Sequence, residues 1–326
     1  MVFGSAEWIW RDAVPGEDEY VDFLCCFPGS VGGEWRLRIA ADSNYTAYLN
    51  GQLAAFGQYP DYPDYKVYDD IDISWMIRAG ENRLVITVWY YGRSSQTYIK
   101  GEAGLIFEVV RDGRAVAFSS AETLSRLSRD YVSGRCRNIT YQLGFTYTCD
   151  LTRDDGYIIR GTDGFKRSRV VTGISRNLTL RPVKKLELCS RMPAFAVKYG
   201  SFSYTDSAAP PEVRMQKAEI TDLGRAQFPL KIKREPGRDG VYVIADLGKE
   251  TAGFLDLDIE LPAPCEVDIG YGEHLTDGRC RTSIGNRSFT AQVICRAGAN
   301  VYMNTFRRFG CRYVQLFVPA EEITIN

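Results

Sequence analysis

The stretch GQYPDYPDYKVYDD, Gly57–Asp70, gathers groups suited to holding a sugar. Tyr59, Tyr62, Tyr65 and Tyr68 recur at every third position, and the pairs Pro60–Asp61 and Pro63–Asp64 separate the first three. Proline fixes its own φ and favours a stiff, extended loop. Such a loop gives up little freedom when a ligand binds. Aromatic faces stack on the C–H face of a sugar ring, while hydroxyls donate to Asp61 or Asp64. The competing role for these tyrosines is to pack down onto their own sheet. A second candidate is VWYYGRSSQTY, Val88–Tyr98, in which Tyr90, Tyr91 and Arg93 follow Trp89 where a strand should give way to a loop. Loops at one end of a β-sandwich commonly carry binding.

Other chemistries find little to work with. His274 is the single histidine, so a Ser-His-Asp or Cys-His site would have to use it. It lies in YGEHLTDG, at a strand end, and reads as an exposed turn residue. A zinc site of two histidines is excluded, and no C-x-x-C pair occurs. LGKET, Leu247–Thr251, lacks the spacing of a phosphate loop. Asp42 in ADSNY brings one carboxylate, too few for a hard cation. No metal or cofactor is expected. Asp246 with Glu250, or Glu273 with Asp277, offers the two carboxylates a glycosidase needs. With 41 acidic residues such pairs are common, and turn and strand-edge roles are the ordinary explanation.

The elements that must position these residues are strands. Trp35, Leu37 and Ile39 alternate with Arg36 and Arg38; Leu255, Leu257, Ile259 and Leu261 alternate with Asp256, Asp258 and Glu260. Period-two alternation marks half-buried strands. LVITVW, Leu84–Trp89, is apolar on both faces and reads as a central strand with Trp89 in the core. Asn50–Gly51 and Asp112–Gly113 sit between apolar runs and suit tight hairpin turns. Leu124, Leu127 and Tyr131 have the spacing of one short helical face. The expected fold is all-β: two β-sandwich domains in tandem, jelly-roll and galactose-binding-like. The boundary is expected near CSRMPAFAVKYGSFSYTDSAAPPEV, giving domains 1–192 and 193–326.

Composition narrows the partners. The 326 residues carry a net charge of −1, which gives no strong field for nucleic acid or anionic lipid. No apolar run is long enough for a membrane span, and MVFGSAEWIW does not read as a signal peptide. Nine cysteines, an odd number, several within strand-like runs, suggest reduced thiols and a cytoplasmic setting. Four N-x-S/T sequons, at Asn44, Asn138, Asn177 and Asn286, are read as chance.

The order of motifs resembles the non-catalytic β-sandwich region of bacterial α-L-rhamnosidases. WIW (Trp8–Trp10), RLRIAADSNYTAYLNGQLAAFG (Arg36–Gly57) and YDDIDISWMIRAGENRLVITVW (Tyr68–Trp89) resemble the N-terminal sandwich of those enzymes. ADLGKETAGFLDLDI (Ala245–Ile259), VDIGYGEHLTDG (Val267–Gly278) and FRRFGCRYVQLFV (Phe306–Val318) resemble the next. The resemblance implies an inverting glycoside hydrolase that releases terminal L-rhamnose. In that family an (α/α)₆ barrel follows the last of these strands and carries the acid and base. This chain reaches Asn326 without long amphipathic helices, so no catalytic residue is assigned and no activity is expected from it alone. Its expected partners are that barrel and a rhamnose-containing glycan. Arg307, Arg308 and Arg312 then lie either at a junction with the barrel or along a strand edge, where charge blocks pairing. Two other readings are a stand-alone lectin-like module and a structural or protein-contact module.

Overall fold

The structure, a computed structural model, describes residues 2–135 and 137–326. Two compact units form: Met1–Cys136 with Asp155–Glu187, and Arg137–Asp154 with Leu188–Asn326. Residues 137–154, read from sequence with the first domain, therefore build the second unit. Tyr147 and Cys149 are buried there, and Thr148–Asp150 pairs in parallel with Thr290–Cys295. A three-residue strand shows almost no alternation, so its sheet is not legible locally.

The first unit is a sandwich of a seven-stranded and a six-stranded sheet. In the first sheet Gly104–Arg111 pairs with Trp35–Asp42, which pairs in turn with Val67–Asp72. In the second, Gly80–Tyr90 is central, between Glu19–Gly29 and Asn44–Leu49. Its buried run Leu84–Tyr90 follows from apolar side chains on both faces. The inner faces meet in one core that includes Trp10, Trp35, Leu37, Ile39, Ile86 and Phe107. Buried indoles need partners for their N–H: Trp10 donates to Glu19 Oε1 at 3.1 Å, Trp35 to the Gly32 carbonyl at 3.1 Å and Trp89 to Asp18 Oδ1 at 2.8 Å.

Both expected hairpins are present. Leu49 pairs with Gln52 and Arg111 with Arg114, which leaves two-residue turns. Asn50 and Gly51 have φ of 54° and 84°, and Asp112 and Gly113 have 46° and 81°. Positive φ at both central positions is what such a turn requires. The expected helical face at Leu124, Leu127 and Tyr131 is absent. Leu124–Leu127 is a strand paired with Glu19–Gly29, so the sheet overrides a three-residue spacing.

The second unit has a seven-stranded sheet containing Cys265–Gly272, Phe309–Val318, Gly240–Gly253 and Phe195–Ser203, and a four-stranded sheet built around Asp256–Leu261. Leu257, Ile259 and Leu261 are buried, as their alternation requires. The segment read as the domain boundary holds regular structure: Phe195–Ser203 is a strand, and Pro211–Lys217 is the one α-helix among the described residues. Proline at the first helical position costs no hydrogen bond. Residues Leu247–Glu250 bulge out of the Gly240–Gly253 strand, since Asp246 and Thr251 flank only Arg312 in the partner register. The last long strand begins at Phe309, three residues later than the alternation suggests.

Candidate functional site

The loop between strands Gln52–Gly57 and Val67–Asp72 is anchored from below. Asp61 accepts from the Val67 amide at 2.8 Å, Gln58 Nε2 at 3.0 Å and Lys66 Nζ at 2.9 Å. Lys66 is 4% exposed, and its ammonium also lies 3.1 Å from Asp42 Oδ2. Asp42 accepts from Tyr98 OH and, at 3.0 Å, from Ser43 Oγ. Burial raises the Asp61 pKa above its ordinary value; Lys66, the Val67 amide and Gln58 oppose the shift without cancelling it. Burial, then the Asp42 charge, pushes the Tyr98 phenol far up, so it stays a donor.

This cluster joins the two stretches singled out from sequence. A Cβ on Gly101 would lie 2.5 Å from Asp42 Oδ2 and 3.6 Å from Pro63, so the loop after Tyr98 rests against the tyrosine loop. The individual side chains then separate into two sets. Tyr62 and Tyr65 are 60% and 76% exposed. Each is tied to the other's backbone by an isolated bridge, with the Tyr65 amide donating to the Tyr62 carbonyl at 3.0 Å. Asp64 is exposed beside them. These three face solvent on an anchored loop, as a sugar contact demands.

The others are taken up by the protein. Three protein donors engage Asp61, which makes it the loop's anchor rather than an open acceptor. Tyr59 is half-buried, with the Arg181 guanidinium 5.2 Å from its ring. Tyr90 ends the central strand, buried, and its hydroxyl donates to the Gly101 carbonyl at 2.9 Å. Tyr91 is half-buried, edge-on to Trp89 and Tyr98. Arg93 is exposed, 3.7 Å from Glu17. Sequence reasoning missed Lys66 and Tyr98; an ammonium directly after two Pro-Asp pairs was the available signal. Asp42 and Asp61 share the Lys66 ammonium, which supplies the positive charge between them. Among the described residues no cluster of three or more His, Cys, Asp or Glu could hold a metal.

Asp246 accepts two 2.9 Å bonds from Arg312 and a 2.7 Å bond from the Gly248 amide. Glu273, His274 and Asp277 are exposed on a turn, where Asp277 has φ of 53°. Of the three arginines near the end, Arg307 donates to the Leu143 carbonyl at 2.7 Å, Arg312 holds Asp246, and Arg308 is exposed.

Residues 237–325 match the family model described as the bacterial alpha-L-rhamnosidase concanavalin-like domain. The chain resembles the non-catalytic β-sandwich region of bacterial α-L-rhamnosidases. No curated protein matches it. Among solved structures, the GH78 family rhamnosidase of Bacillus sp. GL1 aligns with 98% of this chain and 54% of its own, at 16% identity and a TM-score of 0.78. The α-L-rhamnosidase of Aspergillus terreus aligns with 99% of this chain and 36% of its own, at 17% identity and a TM-score of 0.65. The Streptomyces avermitilis α-L-rhamnosidase complexed with L-rhamnose aligns with 95% and 29%, at 19% identity and a TM-score of 0.66. The chain thus spans about half the first of these and a smaller share of the others. At such identities the likeness establishes a shared fold: paired β-sandwiches of the rhamnosidase kind.

Proposed function

We propose that the chain is the non-catalytic portion of an α-L-rhamnosidase-like glycoside hydrolase. In this reading it supports a helical catalytic barrel, and its first unit contacts glycan through Tyr62, Asp64 and Tyr65. The observation that carries the reading is the family match over residues 237–325, a domain of the second unit. The glycan contact draws on a separate fact. Two exposed phenol rings stand on a loop whose base is fixed by the buried Asp42–Lys66–Asp61 cluster. A preformed aromatic surface binds with little ordering cost. That same feature favours a second reading, a carbohydrate-binding module that acts by itself, because the loop needs no other domain to hold its shape.

Titration of the chain with L-rhamnose, followed at the amides of Tyr62, Asp64 and Tyr65, tests the sugar contact. Changing Tyr62 and Tyr65 together to Ala should weaken binding roughly tenfold, since each stacked ring contributes about 0.5–1.5 kcal/mol. Unchanged affinity in the double variant, or no response at these amides, removes the sugar role and leaves the supporting role alone.

A further inference from the structure

Cys265 opens the strand Cys265–Gly272, and Cys295 closes the strand Thr290–Cys295. The two strands are antiparallel, and their register sets Cys265 directly opposite Cys295. On the same face Val267 meets Val293 and Ile269 meets Ala291, and all four are buried. The two thiols extend this core face to its rim. Cys295 is fully buried there, while Cys265 is half-buried and keeps contact with solvent.

Directly opposite residues of an antiparallel pair have Cα atoms about 4.5–5.5 Å apart and side chains on one face of the sheet. Disulfides take Cα separations of about 4.4–6.8 Å. The register therefore holds both cysteines within bonding range. Each lies at a strand end beside an exposed neighbour, Pro264 or Arg296, where the chain has room to adjust. The other cysteines lack this arrangement. Cys25 and Cys26 are successive on one strand, so their side chains point to opposite faces. Cys149 stands opposite Val293, Cys280 opposite Leu275 and Cys311 opposite Thr251. Among the described residues, Cys265 and Cys295 are the one cysteine pair that strand register sets face to face.

We propose that Cys265 and Cys295 form a redox site, which a small disulfide such as oxidised glutathione closes into a cross-strand bond. The Cys265 thiolate attacks one sulfur of the small disulfide and displaces the other half as a thiolate. The Cys295 thiolate then attacks the Cys265 sulfur of the mixed disulfide and releases the second half. Two protein thiols are oxidised, one small disulfide is reduced to two thiols, and the two protons pass to the released thiolates. Cys295 does not meet the small disulfide itself, only the sulfur already joined to Cys265. Burial, then the Glu266 charge, pushes the Cys265 thiol up to about 11; burial, then Cys265, pushes Cys295 up to about 12. Closure is therefore slow near neutral pH, where little thiolate is present. The bond ties two positions thirty residues apart and so restricts the unfolded chain. It strengthens the second unit in oxidising surroundings and opens again in reducing ones. The inference is independent of any sugar contact.

The test holds the whole native chain in oxidised glutathione, blocks the remaining thiols by alkylation and cleaves the chain without reductant. Mass spectrometry should find the Cys265 and Cys295 peptides joined, and dithiothreitol should separate them. The joined chain should melt roughly 5 °C above a Cys265→Ser chain kept in the same buffer, a gain that the Cys265→Ser chain lacks relative to its own reduced form. Cys295→Ala should leave Cys265 as a lasting mixed disulfide with glutathione, and Cys265→Ser should leave Cys295 unmodified. Free thiols at both positions of the parent after this treatment overturn the proposal. So does a lasting mixed disulfide at Cys265 of the parent, or a bond from either residue to any other cysteine. A joined chain that melts no higher than its reduced form also overturns it.

Discussion

Single residues decide how firmly the first unit presents its loop. Lys66 stands between two buried carboxylates, 3.1 Å from Asp42 and 2.9 Å from Asp61. Removing one partner from a buried ion cluster costs several kcal/mol, because the charges left behind have lost their water. Lys66→Ala is expected to destabilise the chain by about 3 kcal/mol in urea unfolding. It should also speed hydrogen exchange at residues 58–66. A change below roughly 0.5 kcal/mol would mean that water reaches the cluster. A similar argument applies at Asp69, which is 3% exposed and held by Arg181, Lys185 and the Tyr45 hydroxyl. Burial would raise its pKa, but the bonds from Arg181, Lys185 and Tyr45 outweigh burial and the net shift is downward. A lowered carboxylate pKa stabilises the fold above the unfolded value of about 3.9. That contribution is lost as pH falls through the lower folded value. Arg181→Ala should therefore cost about 3 kcal/mol at neutral pH. The gap to the parent should narrow below about pH 3.9, as read by denaturation at several pH values.

Whole elements show how far local pattern carries. Asp256–Leu261 and Trp35–Asp42 were legible because each buries one face, and a one-residue slip would expose it. The hairpin turns were legible because Asn-Gly and Asp-Gly are chemically suited to positive φ. The strand Leu124–Leu127 was not, because its place is set by Glu19–Gly29 alongside it. Nor was the anchoring of the loop at Asp61, because Lys66 also pairs with Asp42, nineteen residues before Asp61 at the end of the strand Trp35–Asp42. Tight packing of elements also makes specific glycines indispensable. A Cβ at Gly240 would lie 2.3 Å from the Val318 carbonyl oxygen, across the pairing of the two central strands of the second unit. Gly240→Ala should destabilise the protein by roughly 2 kcal/mol, as overpacking against backbone does. Thiol labelling reads the same packing differently. Cys26 and Cys189 are exposed, whereas Cys149, Cys280, Cys295 and Cys311 are buried, with burial pushing Cys295 and Cys311 up to about 12. The first two should react with a disulfide reagent in the native protein, and the buried four only on unfolding. Fast labelling of all would contradict the sheet packing.

At the scale of the molecule, the chain is organised as two β units, and each of them is discontinuous in sequence. The second unit borrows Arg137–Asp154, which supplies a parallel edge strand, the buried Tyr147 and the Arg137 guanidinium that donates to Gln292 and Thr290. A fragment of residues 188–326 should therefore be less stable and less soluble than the intact chain, because Thr290–Cys295 becomes an open edge. Equal stability by circular dichroism would show that the borrowed segment is dispensable. The two-sandwich architecture was readable from alternation and turns, while the borrowed segment was not, since short strands take their meaning from distant partners.

The role proposed for these sandwiches is to serve a glycoside hydrolase without performing its chemistry. Incubating the purified chain with a nitrophenyl α-L-rhamnoside tests it most directly. The expected result is no release of nitrophenol above the buffer rate. Reproducible turnover that disappears in Glu273→Gln or Asp277→Asn would contradict it.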